Sequence, residues 1–456
     1  MSDVNTTFNF SKLTAAGIIL SGAWNINAAE TTNTNSFQRP AWLTEASVGV
    51  KESYDNNVFL SGANVPNTVA AGFVAAVKDR SSWITTASPK VDVNFAPLLG
   101  DEKTLQVLSL AYAPDFVTFH DQDSESYNAQ KFSTALKAGT DSVSVSADNN
   151  FTYVDGSDIA PVYPGGFLSA FSTVADRDRR EQIQDKANFA AQFNLGNWFI
   201  RPTAALLYCD WMTEKLNPAP ATTPTGYQNY ADRYDVNGGA DAGYKITSSL
   251  AVTLGYRCGH QEQEQFTFSP YSSPNDYQRV LLGLEGSPWK WLDVKIQGGP
   301  DFRNYEGDSA THTTPVNDLN PVKYYGEALL TAKFTSADSL TFKYKQWQWL
   351  STLGKVPYFD STYDLSYHRK LTSKLGVDLG ARLLTWDFTS GNLSTCNRKD
   401  LQYTASAGLG YMINSHLSVN ATYAFDWGRN GEDDIAEPEN REFNHQLISL
   451  GAQCKF

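Results

Sequence analysis

The chain of 456 residues carries 49 acidic against 36 basic side chains, and its net charge of −13 excludes the basic stripe that a nucleic-acid partner requires. Aromatic residues reach 13%, charged residues only 19% and mean hydropathy is −0.38, a mix rich in strand formers and interface-seeking rings. Beyond the amino-terminal region no stretch approaches the ~20 apolar residues of a spanning helix, so a membrane crossing by this chain needs strands closed into a barrel.

In chain order, Lys12 precedes the apolar run Leu13 to Trp24, and Asn27-Ala28-Ala29 precedes Glu30. That is the order of a secretory signal: basic residue, apolar core, small-residue cleavage site. Residues 1–29 are therefore predicted as a signal peptide, 30–41 as a short periplasmic segment and 42–456 as a transmembrane β-barrel. From Trp42 onward, segments of about 9 to 15 residues alternate with period two, the pattern of barrel strands. Counting them predicts an all-β, closed antiparallel barrel of about 18 strands, with 16 as the other count because Pro89 interrupts the region from Trp83 to Val154.

Short connections recur at Leu195-Gly196-Asn197, Thr247-Ser248-Ser249, Gly286-Ser287-Pro288, Thr335 to Asp338, Leu371-Thr372-Ser373 and Asn414-Ser415, all built from turn-favouring residues. Long polar stretches separate them: Asn217 to Ala231, Glu262 to Asp276, Tyr305 to Pro321, Thr389 to Lys399 and Gly428 to Arg441. Tight periplasmic turns alternating with long extracellular loops are what an outer-membrane barrel of a diderm bacterium shows.

The faces read most clearly near the carboxy terminus. Leu417, Val419, Ala421, Tyr423, Phe425 and Trp427 alternate with Ser418, Asn420, Thr422, Ala424 and Asp426; Ile448, Leu450, Ala452, Cys454 and Phe456 alternate with Leu447, Ser449, Gly451, Gln453 and Lys455. Lipid takes the first set of each pair and a wet interior the second. Aromatics fall near predicted strand ends at Trp198, Tyr208, Trp211, Tyr244, Tyr256, Trp289, Trp291, Tyr411, Tyr423 and Trp427, as interfacial girdles would place them.

The inward series supplies pore-lining candidates. The basic ones are Arg201, Arg257, Arg279, Lys295, Arg303, Lys343, Lys345 and Arg382; the acidic ones are Asp235, Asp241, Glu285, Asp293, Glu327, Asp378 and Asp426. Two arrangements follow: a basic wall facing an acidic one, or neighbouring strands paired charge to charge, as in Arg279 with Asp293. Trp347, Trp349 and Trp386 could stack on sugar rings or belong to a girdle.

No G-x-S-x-G elbow, H-E-x-x-H pair, phosphate loop or dinucleotide fingerprint occurs. The six His residues are scattered, though His368 and His445 could approach Ser or Asp inside the barrel. Cys209, Cys258, Cys396 and Cys454 form no CxxC or Cys/His cluster, and Asp121-Gln122-Asp123, Asp176-Arg177-Asp178 and Glu432-Asp433-Asp434 lack EF-hand spacing. No enzyme activity, cofactor or metal is expected.

Near the end of the first predicted strand, Val48-Gly49-Val50-Lys51-Glu52-Ser53 runs into Tyr54-Asp55-Asn56-Asn57-Val58-Phe59. This resembles the opening of the β-barrel porin 2 family, where such a Tyr-Asp-(Ser/Asn)-Asn-(Val/Ile)-Phe run follows the signal peptide. The resemblance implies an outer-membrane location and a porin-like role, with no catalytic or binding residues to carry over. The expected function is passive diffusion of small hydrophilic solutes or ions. The alternatives are export of a polysaccharide, or a structural or adhesive surface barrel with a plugged lumen. Expected partners are outer-membrane lipid, small hydrophilic solutes and the outer-membrane assembly machinery, which would read Phe456 as its signal; homo-oligomerisation is permitted.

Overall fold

The computed structural model describes residues 40–58, 60, 80–100, 104–156, 180–212, 232–263, 274–305, 322–350, 357–387, 399–430 and 442–456. The predicted signal and the amino-terminal segment up to residue 39 lie outside them, as do most residues of the long connections.

Among the described residues, nineteen strand segments form one sheet. The first half of the chain contributes β1 (Leu43–Asp55), β2 (Ser82–Asn94), β3 (Leu105–Tyr112), β4 (Asp115–Phe119), β5 (Tyr127–Gly139), β6 (Val143–Asp155), β7 (Gln182–Leu195), β8 (Trp198–Trp211) and β9 (Arg233–Thr247). Next come β10 (Leu250–Gln263), β11 (Asn275–Trp289), β12 (Leu292–Tyr305), β13 (Lys323–Ala332), β14 (Asp338–Leu350) and β15 (Pro357–Lys370). The last are β16 (Leu375–Asp387), β17 (Lys399–Met412), β18 (Leu417–Asn430) and β19 (Phe443–Lys455). Every described pairing is antiparallel, and β1 pairs with both β2 and β19, so the sheet closes on itself.

β3 and β4 are two pieces of one stave, both lying between β2 and β5, which gives a closed barrel of 18 staves. The break has a chemical cause. Pro114 joins the pieces, and residues 88–90 of β2, centred on Pro89, pair with neither of them. Two residues without an N–H thus face each other where the ladder is interrupted. Asp115 seals the gap on the inner side, accepting from Lys131 at 2.5 Å and from Ser88 at 2.5 Å.

The predicted short turns sit at one end of the barrel. Gly196 adopts φ +66° between β7 and β8, as a two-residue hairpin requires. One turn falls elsewhere than predicted: β11 continues through Gly286-Ser287-Pro288 to Trp289 and reverses at residues 290–291. A bulge at Gly286, with φ +130°, absorbs the Pro without ending the strand.

Alternation gives the wall two chemistries. Outward lie Val48, Val50, Ile200, Leu254, Leu282, Leu379, Leu409, Ile448 and Leu450, all exposed large apolar side chains, while Ser53, Thr404, Ser406 and Ser449 on the inner face are buried. An exposed apolar belt around a closed ladder is the condition for standing in hydrocarbon, because no backbone group is left unpaired there. Aromatic pairs mark the belt's margins: Trp198 with Tyr244 at 4.9 Å and Trp289 with Trp291 at 5.6 Å at the short-turn end, and Tyr54 with Trp83 at 5.3 Å at the other. Trp211 departs from the girdle prediction; its position in β8 points inward and it is buried.

Candidate functional site

The inner face of β8 to β15 carries most of the predicted charged residues, and the structure resolves them into two layers. Nearer the short-turn end, Arg201 on β8 lies between two carboxylates, donating to Asp241 at 3.1 Å and to Glu285 at 2.8 and 2.9 Å. Asp241 is shared with Arg257, whose Nη2 is 2.7 Å away. Lys295 stands opposite Glu285 in register, and Glu327 opposite Lys345. Tyr325 and Gln297 both donate to Glu327, at 2.6 and 2.5 Å.

Toward the long-connection end, Asp301 accepts from Arg279 at 2.9 Å and from Arg303 at 3.1 Å. Arg303 also donates to Gln261 at 2.6 Å and to Asn275 at 3.0 Å. Asp235 receives the Tyr277 hydroxyl at 2.8 Å and Gln261 at 3.1 Å. The Arg279 guanidinium lies over the Tyr277 and Tyr325 rings, 4.1 and 4.5 Å from their centroids. Planar groups pack this closely because the facing strand offers hydrogen instead of a side chain. A Cβ at Gly259 would meet the Tyr277 ring at 2.4 Å, and one at Gly243 the Phe199 ring at 2.0 Å.

This layer links the two ends of the arc from β8 to β15. Arg233 on β9 sits 5.2 Å from the Trp349 ring of β14 and bonds Tyr358 of β15, and Leu207 of β8 packs against the same two aromatics. The wall from β8 to β15 therefore bends round and its inner side chains fill the bend. Trp349 is 0% exposed, with Trp347 edge-on at 4.9 Å. A sugar ring has no free face of Trp349 to stack on, and Lys345 occupies a face of Trp347 at 4.1 Å.

The remaining candidates lie elsewhere on the inner face. Arg382 donates to Asp364 at 2.8 and 3.0 Å, with Lys343 on Asp364's other side in register. His368 meets Asp378 at 2.8 Å, and Asp426 accepts from Thr404 and meets His445 at 2.8 Å. The expected Arg279–Asp293 pair does not form. Register places Arg279 opposite Asp301, whereas Asp293 lies at the far end of β12, where Ser287 and Lys333 bond it. Cations and anions thus interleave along the wall instead of facing each other across it.

Sequence reading missed the uncharged members of these layers: Tyr277, Gln261, Asn275, Tyr325 and Gln297. Their inward period-two position is the signal that marks them, but an uncharged inward residue does not stand out by type from the rest of the inner series. Among the described residues no group of His, Cys, Asp and Glu could hold a metal ion. His312, Cys396, Asp176 to Asp178 and Glu432 to Asp434 lie outside those residues.

No family model matches the chain. No curated protein matches it either. Solved structures similar to it include the outer membrane protein OpdK of Pseudomonas aeruginosa (11% identity, 90% of this chain and 99% of that chain covered, TM-score 0.40). OccAB3 of Acinetobacter baumannii (12%, 90% and 99%, TM-score 0.42) and OpdO of Pseudomonas aeruginosa (11%, 90% and 97%, TM-score 0.43) are similar to a comparable degree.

Proposed function

We propose that the protein is an outer-membrane channel through which small hydrophilic solutes or ions diffuse passively. The observation that carries this reading is the closed ring of 18 staves with an apolar exterior and an inner face on which polar and charged side chains are packed among aromatic ones such as Tyr277, Tyr325 and Trp349. A cylinder of this circumference leaves an aqueous passage when its wall side chains alone line it. The layers on β8 to β15 occupy one side. The opposite arc carries smaller polar side chains such as Ser47, Ser53, Thr86, Thr404, Ser406 and Ser449, themselves buried within the wall. Opposite charges interleaved along the wall suit a passage in which water and solute meet a structured field with no single sign dominating it.

Purified protein inserted into a planar bilayer should give stepwise conductance increments. Their absence, with a barrel shown to be folded by its compact migration in detergent gels, would remove the channel reading.

The same reading assigns Phe456 as the assembly signal and residues 1–29 as the export signal. Phe456 continues the outward series of β19, and its backbone N–H donates to Ala46 O of β1 at 2.9 Å. Deleting Phe456 should lower the amount of folded protein in the outer membrane severalfold, measured by fractionation and heat-dependent gel mobility. The conductance of molecules that do assemble should stay unchanged.

A further inference from the structure

The run Tyr54-Asp55-Asn56-Asn57-Val58 has no part in the lining just described, yet nearly every polar group in it reaches the last strand. β1 and β19 are the seam of the ring, where the first and the last of the described staves pair. At the long-connection end of that seam, Asn57 donates its side chain to Asn444 O at 2.9 Å, and Asn56 accepts from the Gln446 N–H at 2.7 Å. The Asn56 N–H returns a bond to Gln446 O at 3.2 Å. Asp55 holds the turn by accepting from the Asn57 N–H at 2.8 Å. Its Oδ1 also lies 3.0 Å from His445 Nε2, while His445 Nδ1 meets Asp426 of β18 at 2.8 Å. His445 thus stands between carboxylates from β1 and β18, 12% exposed on its side chain. Val58, buried against Ile84, Val117, Phe119 and Tyr127 and bonded to Arg80 O at 2.7 Å, fixes the run from the other side.

We propose that this run is a closure clasp, which locks β1 to β19 once both strands are present. Along the rest of the seam the strands meet through ladder bonds, the Ser53–Ser449 hydroxyl pair at 2.8 Å and one longer bond from the Gln453 side chain to Ser47 Oγ at 3.3 Å. Neighbouring staves elsewhere are tethered by a connecting segment that keeps them close; β1 and β19 are separated by the whole chain. Their pairing carries the largest loop-closure cost in the molecule, and side-chain locks have most to add there. The clasp acts on the seam whatever passes through the lumen.

The test is the rate at which the full-length barrel loses its compact gel band in sodium dodecyl sulfate at fixed temperature. Asp55→Ala with Asn57→Ala should raise that rate about tenfold or more, since removing Asp55 strips a partly buried ion contact from the native seam. His368→Gln removes a His–carboxylate contact of the same kind, 2.8 Å from Asp378, between hairpin-linked β15 and β16; it should change the rate by less than about threefold. A cross-seam disulfide gives the second arm: Ser53→Cys with Ser449→Cys, directly opposite in register, in a background with the four native cysteines replaced. Oxidised, it should restore the compact band to the Asp55→Ala, Asn57→Ala protein, including any fraction that does not close on its own; reduced, it should not. Equal acceleration by His368→Gln, an unchanged rate in the clasp variant, or no rescue on oxidation would each overturn the proposal.

Discussion

Replacing Asp301 with Ala should cost the folded barrel about 3–5 kcal/mol, read as a shift of the urea or thermal unfolding midpoint in detergent. Asp301 is 1% exposed and its carboxylate is shared by two guanidiniums, Arg279 at 2.9 Å and Arg303 at 3.1 Å. With the carboxylate gone, two positive groups remain side by side beneath Tyr277 and Tyr325, in a place that water does not reach. The loss exceeds that of an exposed pair, for which solvent supplies the missing partner and about 0–1 kcal/mol is typical. Asp301→Asn keeps the volume and part of the hydrogen bonding, so it should fall between Ala and the parent. A midpoint that does not move for either variant would show that the β8 to β15 layers are not packed as described.

Leu282→Arg should destabilise the barrel by about 2–4 kcal/mol in lipid or detergent, measured by the same unfolding. Leu282 is 69% exposed in the middle of β11, paired with Leu254 on one side and Gly298 on the other, so an arginine there has no acidic neighbour in register. It would have to reach the interface or draw water into the belt. A residue exposed to this degree in a water-soluble sheet would tolerate the exchange almost freely. The size of the loss therefore measures whether this surface meets hydrocarbon.

Much of the architecture was legible in the sequence because a strand writes its two environments into alternate positions. The runs from Leu417 and Leu447 place their apolar and polar members where the structure has them, and the hairpins at Gly196, Ser248-Ser249 and Asn414-Ser415 share one end of the barrel. What did not read through is set by register and curvature. Pro89 could be seen, but not that Pro114 stands across from it and splits one stave into β3 and β4. Pro288 looked like a turn because a bulge at Gly286 is invisible to alternation. The Arg279–Asp293 pairing failed because charges of opposite sign on adjacent strands say nothing about which positions come level. The bend that buries Trp349 depends on contacts between β9 and β14, which no local pattern encodes.

The junction of β1 with β19 gives the structure a property that an open sheet of equal length lacks. A ribbon has two ends from which it can peel one strand at a time, each step exposing little new backbone to hydrocarbon. A ring has no such starting point: every stave is held on both flanks, and the first rupture must break a full interstrand ladder before anything is released. Topology thus converts one interface out of 18 into the step on which the persistence of all the others depends.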